Sequence, residues 1–212
     1  MLIIGAKGHA KEIIDVLDNF EQVSYAFFDN INKDIENQLF GKIVIKDFLT
    51  AKSYLEKNNT FILAVGGPKN RYLLYNCFKT EYNAIPFSVI AKTAIVSKYT
   101  KLGVGLNIMS FAFISNSVTI GNGCLINAYA KIHHDTTIGE FTEISPNATV
   151  LGNCSIGNYT FIGASATILP KITIGDNVIV AAGSVVTKNV PNNCMVAGIP
   201  AVVKKKLNPI KL

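Results

Sequence analysis

The chain has 212 residues, of which 49% are hydrophobic and 16% charged, and its net charge is +6. This composition is typical of a globular protein with one large or two modest domains. No apolar run approaches the roughly 20 residues that span a bilayer, and Lys7, His9 and Lys11 interrupt the apolar start that a signal peptide needs. We therefore expect no membrane association and a cytoplasmic location.

The positive charge is unevenly placed. Residues 1–87 carry ten basic and ten acidic side chains, whereas residues 88–212 carry ten basic and four acidic ones. A nucleic-acid partner is not expected, because no basic stripe with interleaved aromatic residues is present. The excess favours a small polyanion such as a nucleotide phosphate. A basic surface that serves only solubility is the alternative.

The first part of the sequence alternates between short apolar runs and helical patterns. Such alternation predicts a small parallel sheet of Rossmann type over residues 1–87. Asp47 is expected to cap the second helix. Pro68 is expected at the start of the third helix, because the first turn of a helix tolerates proline. The predicted elements are a strand at Leu2–Ile4, a helix at Ala10–Asn19, a strand at Ser24–Phe28, a helix to Lys57, a strand at Thr60–Val65 and a helix at Asn70–Lys79.

Ligands of such sheets bind beyond the carboxyl ends of the strands. Three segments occupy these places: Gly5-Ala6-Lys7-Gly8-His9, Asp29-Asn30 and Gly66-Gly67. A glycine loop before a helix presents backbone N–H groups to an anion, and an acidic residue after the second strand suits a ribose or a base. The dinucleotide fingerprint is incomplete, so a nucleotide fits better than NAD. A simple tight turn at Gly5 and Gly8 is the alternative.

From residue 90 to residue 186 every sixth residue is Ile, Val or Leu. An unbroken six-residue period over seventeen positions matches neither a helix nor a single strand and predicts a β-helix with three flat faces per coil. The aliphatic residues should point inward and stack in columns. The seventeen positions are Ile90, Val96, Leu102, Ile108, Ile114, Ile120, Ile126, Ile132, Ile138, Ile144, Val150, Ile156, Ile162, Ile168, Ile174, Val180 and Val186.

The residues that flank this ladder follow the same period. Small side chains precede the aliphatic residue by two positions, as at Ala112, Cys124 and Ala130, and should fill the inside corners. Gly often follows it, as at Gly121 and Gly139, and we expect it to supply a permissive backbone at the corner. The result is a prism of about five coils over residues 88–190, roughly 25 Å tall at about 4.8 Å per coil, with a closing tail to residue 212.

The joined halves resemble the hexapeptide-repeat sugar O- and N-acyltransferases, typified by the sialic acid O-acetyltransferases and the bacillosamine-pathway N-acetyltransferase. The resemblance covers nearly the whole chain and implies a left-handed β-helix. The segments that carry it are Ile4-Gly5-Ala6-Lys7-Gly8-His9, Ala64-Val65-Gly66-Gly67 with Asn70-Arg71, Ile126-Asn127, Ile132-His133-His134-Asp135, Ile138-Gly139, Val196-Ala197-Gly198-Ile199-Pro200-Ala201 and Lys204-Lys205-Lys206.

What the resemblance implies is an enzyme that binds a nucleotide-activated amino sugar in its N-terminal domain. Acetyl-CoA would lie along the β-helix between neighbouring subunits of a homotrimer. His134 matches the family's catalytic base and Asp135 the acidic residue after it. The chemistry agrees, because an imidazole can accept the proton of an attacking amine or hydroxyl while a carboxylate holds its tautomer. A plain surface histidine is the alternative.

The remaining candidate site residues follow from the same resemblance and from the loops above. We expect no metal site, because the adjacent His133, His134 and Asp135 cannot readily converge on one ion and the four cysteines lack CxxC spacing. The expected substrate contacts are Gly5, Gly8, His9, Asp29, Asn30, Gly66, Gly67, Arg71 and Asn127, and the expected acetyl-CoA contacts are Gly152, Gly163, Ala164, Ala182, Gly183, Lys188 and Lys204.

The expected reaction is acetylation of the amine of a nucleotide-linked 4-amino-4,6-dideoxy sugar, for a surface glycan or a glycoprotein. The intact glycine loop and Asp29 favour an acceptor whose nucleotide part is bound by the N-terminal domain. Two alternatives stay open: O-acetylation of a sialic acid or another sugar hydroxyl, and a non-enzymatic nucleotide-binding scaffold. The pairing of His134 with Asp135 favours an enzyme, since a scaffold has no need of it.

Overall fold

The computed structural model describes residues 1–17, 24–32 and 34–210. Within these ranges, the N-terminal part is an α/β unit with three helices and six strands. The helices are α1 (Gly8–Leu17), α2 (Phe48–Leu55) and α3 (Pro68–Asn76), and a π-helical turn, Cys77–Glu81, follows α3. The strands are β1 (Leu2–Ile4), β2 (Ala26–Phe28), β3 (Gln38–Leu39), β4 (Lys42–Ile45), β5 (Thr60–Leu63) and β6 (Ile85–Pro86).

The six strands form one sheet in the order β3-β4-β2-β1-β5-β6, and all neighbours are parallel except β3 and β4. The central strand β1 is at most 1% exposed, because helices cover both faces of a parallel sheet. The predicted Rossmann-like unit is confirmed, and so is the cap at Asp47, whose carboxylate accepts from Thr50 N at 2.8 Å. The predicted end of α1 at Asp18 and Asn19 lies outside the described residues.

The sequence reasoning missed three of these strands. β3 and β6 have two residues each and are the edge strands, and β4, with four residues, lies beside β3. The edge strands are too short to show a pattern, whereas the apolar run Ile43-Val44-Ile45 of β4 was overlooked. The chain passes from β6 directly to the first strand of the second sheet system at residue 89, and we keep the domain boundary between residues 87 and 88 as a proposal.

The second part is a stack of seventeen two-residue strands, β7 to β23. Each strand ends on a residue of the aliphatic ladder, so the predicted β-helix is confirmed. The strands are Val89–Ile90, Ile95–Val96, Lys101–Leu102, Asn107–Ile108, Phe113–Ile114, Thr119–Ile120, Leu125–Ile126, Lys131–Ile132, Thr137–Ile138, Glu143–Ile144, Thr149–Val150, Ser155–Ile156, Phe161–Ile162, Thr167–Ile168, Thr173–Ile174, Ile179–Val180 and Val185–Val186.

Each strand from β7 to β20 pairs in parallel with the strand eighteen residues later, and the seventeen strands together make three flat faces. Face 1 begins with β7, face 2 with β8 and face 3 with β9, and every third strand then returns to the same face. The columns stack as predicted, since Ile120 lies beside Ile138 and Ile138 beside Ile156. A hairpin of β24 (Cys194–Gly198) and β25 (Ala201–Lys206) extends face 1 at the C-terminal end.

The structure contradicts the expectation that the glycines after the ladder residues supply a permissive backbone at the corners. The left-handed backbone recurs every sixth residue from Gly105 to Gly183, with φ between 52° and 69°, and most of these positions are not glycine. The glycines that follow the ladder have another reason. A Cβ at Gly139 would lie 2.6 Å from the amide of Asn158 in the next coil. These glycines are required by the close approach of successive coils, not by the backbone angle.

The N-terminal unit packs on the first coils of face 1. Val89, Asn107 and Leu125 point outward from this face and are nonetheless at most 1% exposed, because helix α1 covers them. Helix α3 lies at the corner between faces 3 and 1, where the Tyr75 ring packs edge-on against Phe141 at 5.2 Å. In the described part of the chain, no helix is long and apolar enough to cross a membrane.

The coil contacts predict a large difference between two glycine substitutions. Gly157→Ala should lower the free energy of unfolding by about 1–3 kcal/mol, as overpacking does. The reason is that its Cβ would lie 2.5 Å from the carbonyl carbon of Gly175, a backbone atom that cannot move aside. Urea unfolding followed by circular dichroism measures the change.

Gly183→Asn is the matched control. Gly183 has φ of 68° and open space around a new Cβ, and other corners already carry Asn at the same backbone angle. We expect a change within about 0.5 kcal/mol, as for an ordinary surface substitution. Equal losses in the two variants would contradict the coil-contact argument.

Candidate active site

His134 and Asp135 lie at the corner that joins face 2 to face 3. The His134 Nδ1 is 2.7 Å from the Asp135 Oδ2, and both side chains are about half exposed. A carboxylate only accepts hydrogen bonds, so Nδ1 is the donor, and in the neutral form of the ring Nε2 has the free lone pair. The pair therefore presents a basic nitrogen to solvent at an exposed edge of the prism.

The backbone around His134 is fixed by the neighbouring coils. Its carbonyl accepts from Asn153 N at 2.9 Å, and Asp135 N donates to the Asn116 carbonyl at 3.2 Å. Asp135 adopts the left-handed corner conformation, with φ of 58°, which Asp tolerates better than most residues. This turn directs the two side chains toward each other.

Gly152 lies against the His134 ring from the next coil. A Cβ at Gly152 would be 2.7 Å from both Cε1 and Nε2 of the imidazole. The missing side chain leaves the space that the ring occupies. His133 is placed differently, since its ring faces Phe113 at 5.8 Å between centroids, and it does not join the His134–Asp135 pair.

The glycine loop lines a cavity of about 400 Å³ together with residues 35–39. Lys7, Gly8 and Lys11 contribute to this cavity. His9 lies beside it with its Nδ1 2.9 Å from Glu12 Oε2 and its Nε2 3.5 Å from Asn107 Oδ1. The Glu12 pKa is lowered, chiefly by its hydrogen bond to His9. The loop thus offers cationic side chains and a helix N-terminus in one concave surface.

Asp29 is engaged by its own loop. Its carboxylate accepts from Ile31 N at 3.2 Å, from Asn32 N at 3.0 Å, and from Asn32 Nδ2 at 3.0 and 2.9 Å on its two oxygens. It is only 8% exposed, whereas the neighbouring Asn30 is exposed. In this structure Asp29 therefore stabilises the conformation of its own loop, residues 29–32.

Arg71 corrects the sequence reasoning, which placed it among the substrate contacts. The side chain is fully buried, so no ligand can reach it. Its guanidinium donates to the carbonyls of residues 65, 105, 123 and 124 and to the Asn107 side chain, at distances of 2.7 to 3.5 Å. Burial lowers its pKa to about 10, and the charge of Glu143 opposes that change. Arg71 connects helix α3 to the β-helix instead.

Glu143 was missed by the sequence reasoning. It occupies an outward position on face 1 and is only 7% exposed. Its Oε2 accepts from Gly67 N at 2.7 Å, and Gly66 passes so close that a Cβ there would lie 3.5 Å from the same oxygen. Glu143 therefore fixes the Gly66-Gly67 loop against the β-helix. Its position in the hexapeptide repeat could have flagged it, because charged residues are rare on this face.

The expected acetyl-CoA contacts fall into separate groups. Gly163, Ala164, Ala182 and Gly183 lie at the corner between faces 1 and 2, where Asn127, an expected substrate contact, also lies in an earlier coil. A Cβ at Gly163 would lie 2.6 Å from Ala182 N, so this glycine serves coil stacking. Gly152 belongs with His134 at another corner. Lys188 and Lys204 are both exposed near the C-terminal end of the prism.

Within one chain, the glycine loop and His134 are on different sides of the prism. The N-terminal unit covers the first coils of face 1, and the corner between faces 2 and 3 is opposite that face. The described residues include no group of three or more His, Cys, Asp or Glu side chains placed to bind a metal ion. The Cys124 thiol lies in the core of the β-helix, and burial raises its pKa to about 12.

Comparison with known families identifies both halves of the chain. Residues 1–78 match the PglD N-terminal domain. Residues 117–152 and 153–188 each match the bacterial transferase hexapeptide of six repeats. No curated protein matches the sequence significantly.

Several solved structures share the arrangement over nearly the whole chain. PerB from Caulobacter crescentus, solved with CoA and GDP-perosamine, is 29% identical with a TM-score of 0.89 over 96% of each chain. The acetyltransferase domain of PglB from Neisseria gonorrhoeae, in complex with acetyl coenzyme A, is 27% identical with a TM-score of 0.86 over 96% of this chain and 98% of that one. The predicted resemblance to the hexapeptide-repeat sugar acyltransferases is confirmed.

The contact between Gly152 and the imidazole predicts a local effect on one histidine. Gly152→Ala should displace the His134 ring and leave the folded state almost unchanged, because the half-exposed ring can swing away from the new methyl group. Two-dimensional NMR of the three histidine rings measures this. The His134 resonances should shift while those of His9 and His133 stay in place.

Ser155→Ala, an exposed position on the next strand, serves as the control and should move none of the three. Unchanged His134 resonances in the Gly152→Ala variant would show that the glycine does not seat the ring.

Proposed function

We propose that the chain is an acetyltransferase that moves the acetyl group of acetyl-CoA to the amine of a nucleotide-linked 4-amino-4,6-dideoxy sugar, for a surface glycan or a glycoprotein. The observation that carries this proposal is the hydrogen-bonded His134–Asp135 pair on an exposed corner of the β-helix. The fold of the chain supports the proposal as well, since PerB has the same two-part fold and was solved with CoA and GDP-perosamine. The four cysteines, all free, suit the cytoplasm, where we propose that the enzyme works.

In the proposed mechanism, His134 is the general base. Its Nε2 lone pair accepts the proton that the sugar amine loses as the nitrogen attacks the thioester carbonyl. The C–S bond then breaks, and the CoA sulfur leaves as a thiol by taking that proton from the imidazolium. Asp135 keeps the proton on Nδ1 and stabilises the imidazolium that forms. This scheme assigns no covalent acyl-enzyme, so no Cys or Ser nucleophile is needed.

Two surfaces of the chain suit the two substrates. The glycine-loop cavity, with Lys7, Gly8 and Lys11, suits the diphosphate and nucleoside of the acceptor. The corner between faces 1 and 2 presents small residues such as Ala164 and Gly183, which suit a pantetheine arm held mainly by backbone groups. Gly5, His9, Gly66 and Gly67 remain proposed acceptor contacts in the loops around that cavity.

The proposal includes a homotrimer, because a single chain does not bring its glycine loop and its His134 close to each other. An acceptor held by the glycine loop on face 1 is on the far side of the prism from its own His134. A second copy that places its His134 corner beside this face would complete the site. Closed threefold symmetry would repeat that contact three times.

An exposed apolar cluster supports the assembly. Ile95 on face 2 is 63% exposed, and Phe111 and Tyr129 at the adjoining corner are 52% and 50% exposed. The two aromatic rings stack at 5.0 Å between centroids. Contiguous apolar surface of this kind marks a protein contact, and here it flanks the face that leads to His134.

The function is tested by thiol release from acetyl-CoA with a panel of UDP-, dTDP- and GDP-linked amino sugars and free sialic acid. Turnover is expected with at least one nucleotide-linked 4-amino sugar and not with sialic acid. His134→Ala should lower this turnover roughly 10²- to 10⁴-fold, the usual contribution of a general base. The fold should be unaffected, since the side chain is exposed.

His133→Ala is the matched control, because it removes the adjacent imidazole that does not contact Asp135; its turnover should stay near that of the unchanged chain. Activity on free sialic acid alone would replace the proposal by sugar O-acetylation. Absence of turnover with every acceptor, together with nucleotide binding, would favour the scaffold.

The trimer is tested by light scattering at micromolar concentration. The measured mass should be three times the 22.9 kDa of one chain. Phe111→Asp should shift the mass toward the monomer, because it places a charge in the apolar cluster. Thr119→Asp, an exposed position on face 3, should not. A monomer mass for the unchanged chain would exclude both the trimer and a site shared between copies.

A further inference from the structure

The corner that carries His134 continues toward the first coil as a row of polar side chains. Asn116 and Lys98 lie eighteen and thirty-six residues before His134, so the three residues occupy the same corner in successive coils. Hydrogen bonds join the coils there, since Asp135 N donates to the Asn116 carbonyl at 3.2 Å and the Ser97 hydroxyl donates to Asn116 Oδ1. At about 4.8 Å per coil, Lys98 lies about 10 Å from His134 along the prism axis.

This end of the row carries positive charge and no negative charge. Residues 82–134 contain four lysines and no Asp or Glu. Lys98 is exposed and forms no ion pair within the described part of the chain. Its Nζ lies 5.0 Å from the centroid of the Tyr99 ring, a contact that holds the ammonium group at the surface without neutralising it. The row therefore ends in a cation that is available to an anion.

The two substrates of the proposed reaction approach His134 from opposite ends of the prism. The expected contacts of the acyl donor lie in the coils after His134, between residues 152 and 204. The glycine loop belongs to the unit that packs on the first coils, and its His9 lies 3.5 Å from Asn107, in the same coil as Asn116. In the proposed trimer, a threefold axis that runs along the prisms keeps all copies at the same height. An acceptor in one glycine loop therefore enters the neighbouring His134 corner from the side of Lys98.

We propose that Lys98 binds the diphosphate of the acceptor whose amine lies at His134 of the same chain. This inference rests on the proposed function and on the trimer that it includes. In a nucleotide-linked 4-amino sugar, the amine and the diphosphate are attached at opposite sides of the sugar ring. With the amine at His134 Nε2, the ring extends past Asn116, and the diphosphate comes within reach of the Lys98 ammonium on its flexible stem. The acceptor is then bound by two chains, by the glycine loop of one copy and by Lys98 of the next.

The test is steady-state kinetics of the full-length chain with the nucleotide-linked amino sugar that turns over fastest. Lys98→Ala should raise the KM for this acceptor at least roughly tenfold, since a hydrogen bond to a charged group contributes about that factor. The kcat should be unchanged, because the diphosphate is bound equally in the ground state and the transition state. The KM for acetyl-CoA should also be unchanged. Lys98→Arg, which keeps the charge, should restore most of the affinity.

Lys101→Ala is the matched control. It removes the same charge from the same coil, but Lys101 is an exposed residue of face 3, beyond the corner. Its KM for the acceptor should equal that of the unchanged chain. An equal rise of the KM in both variants would show a general effect of net charge and would overturn the inference, as would an unchanged KM in Lys98→Ala.

Mixed assemblies test whether Lys98 acts with the His134 of its own chain. When Lys98→Ala chains are co-expressed with His134→Ala chains, every intact His134 is on a chain that lacks Lys98, so all remaining turnover should show the raised KM. A mixture of the unchanged chain with the double variant Lys98→Ala, His134→Ala should keep the normal KM. A component of normal KM in the first mixture would assign Lys98 to the site of another copy and contradict the inference.

A binding measurement separates this inference from the proposed function, because it needs no turnover. Calorimetric titration with UDP, dTDP and GDP should show weaker binding of the preferred diphosphate to Lys98→Ala, with unchanged binding of the matching nucleoside. An equal loss for both ligands, no loss, or no diphosphate binding by the unchanged chain would refute the role of Lys98. Absence of turnover with every acceptor would instead refute the proposed function, and the titration would still decide whether Lys98 binds a diphosphate.

Discussion

The structure depends on the close stacking of successive coils in the β-helix. Each strand from β7 to β20 pairs with the strand eighteen residues later, and its aliphatic side chain packs on the equivalent residues of the neighbouring coils. A single coil buries too little apolar surface to be stable alone, so each is stable only within the stack. The same close approach excludes a Cβ at the glycines that follow the ladder, such as Gly139 and Gly157. Sequence period, core and corner composition therefore have one physical cause.

The eighteen-residue spacing also places the chemistry. His134 and Gly152 are eighteen residues apart and are therefore adjacent in space, which gives the imidazole its seat. The same spacing brings Phe111 beside Tyr129 and Phe141 beside Tyr159. A β-helix thus converts distances along the sequence into fixed contacts, and a functional residue in one coil is supported by residues in the next.

The sequence predicted what repeats or what is local. The ladder, the inward small residues, the Asp47 cap and the His134–Asp135 contact follow from neighbours or from a period. It did not predict contacts that join distant segments once. Arg71 looked like a ligand-binding residue because it follows the Gly66-Gly67 loop, yet its partners are carbonyls near residues 105 and 123, which no local pattern indicates. For Glu143 the charge at an outward position of face 1 was a usable signal, but its partner, Gly67 N, lies 76 residues away along the chain.

Arg71 and Glu143 show why the two halves of the chain act as a unit. A buried guanidinium is tolerated only when its N–H groups have acceptors, and Arg71 finds them on the β-helix while its own backbone belongs to α3. Glu143 holds the loop at the start of that helix. The orientation of the glycine loop relative to face 1 is therefore set by the β-helix. Because that same orientation keeps the loop away from its own His134, these contacts are also the reason that the proposed mechanism includes a second copy of the chain.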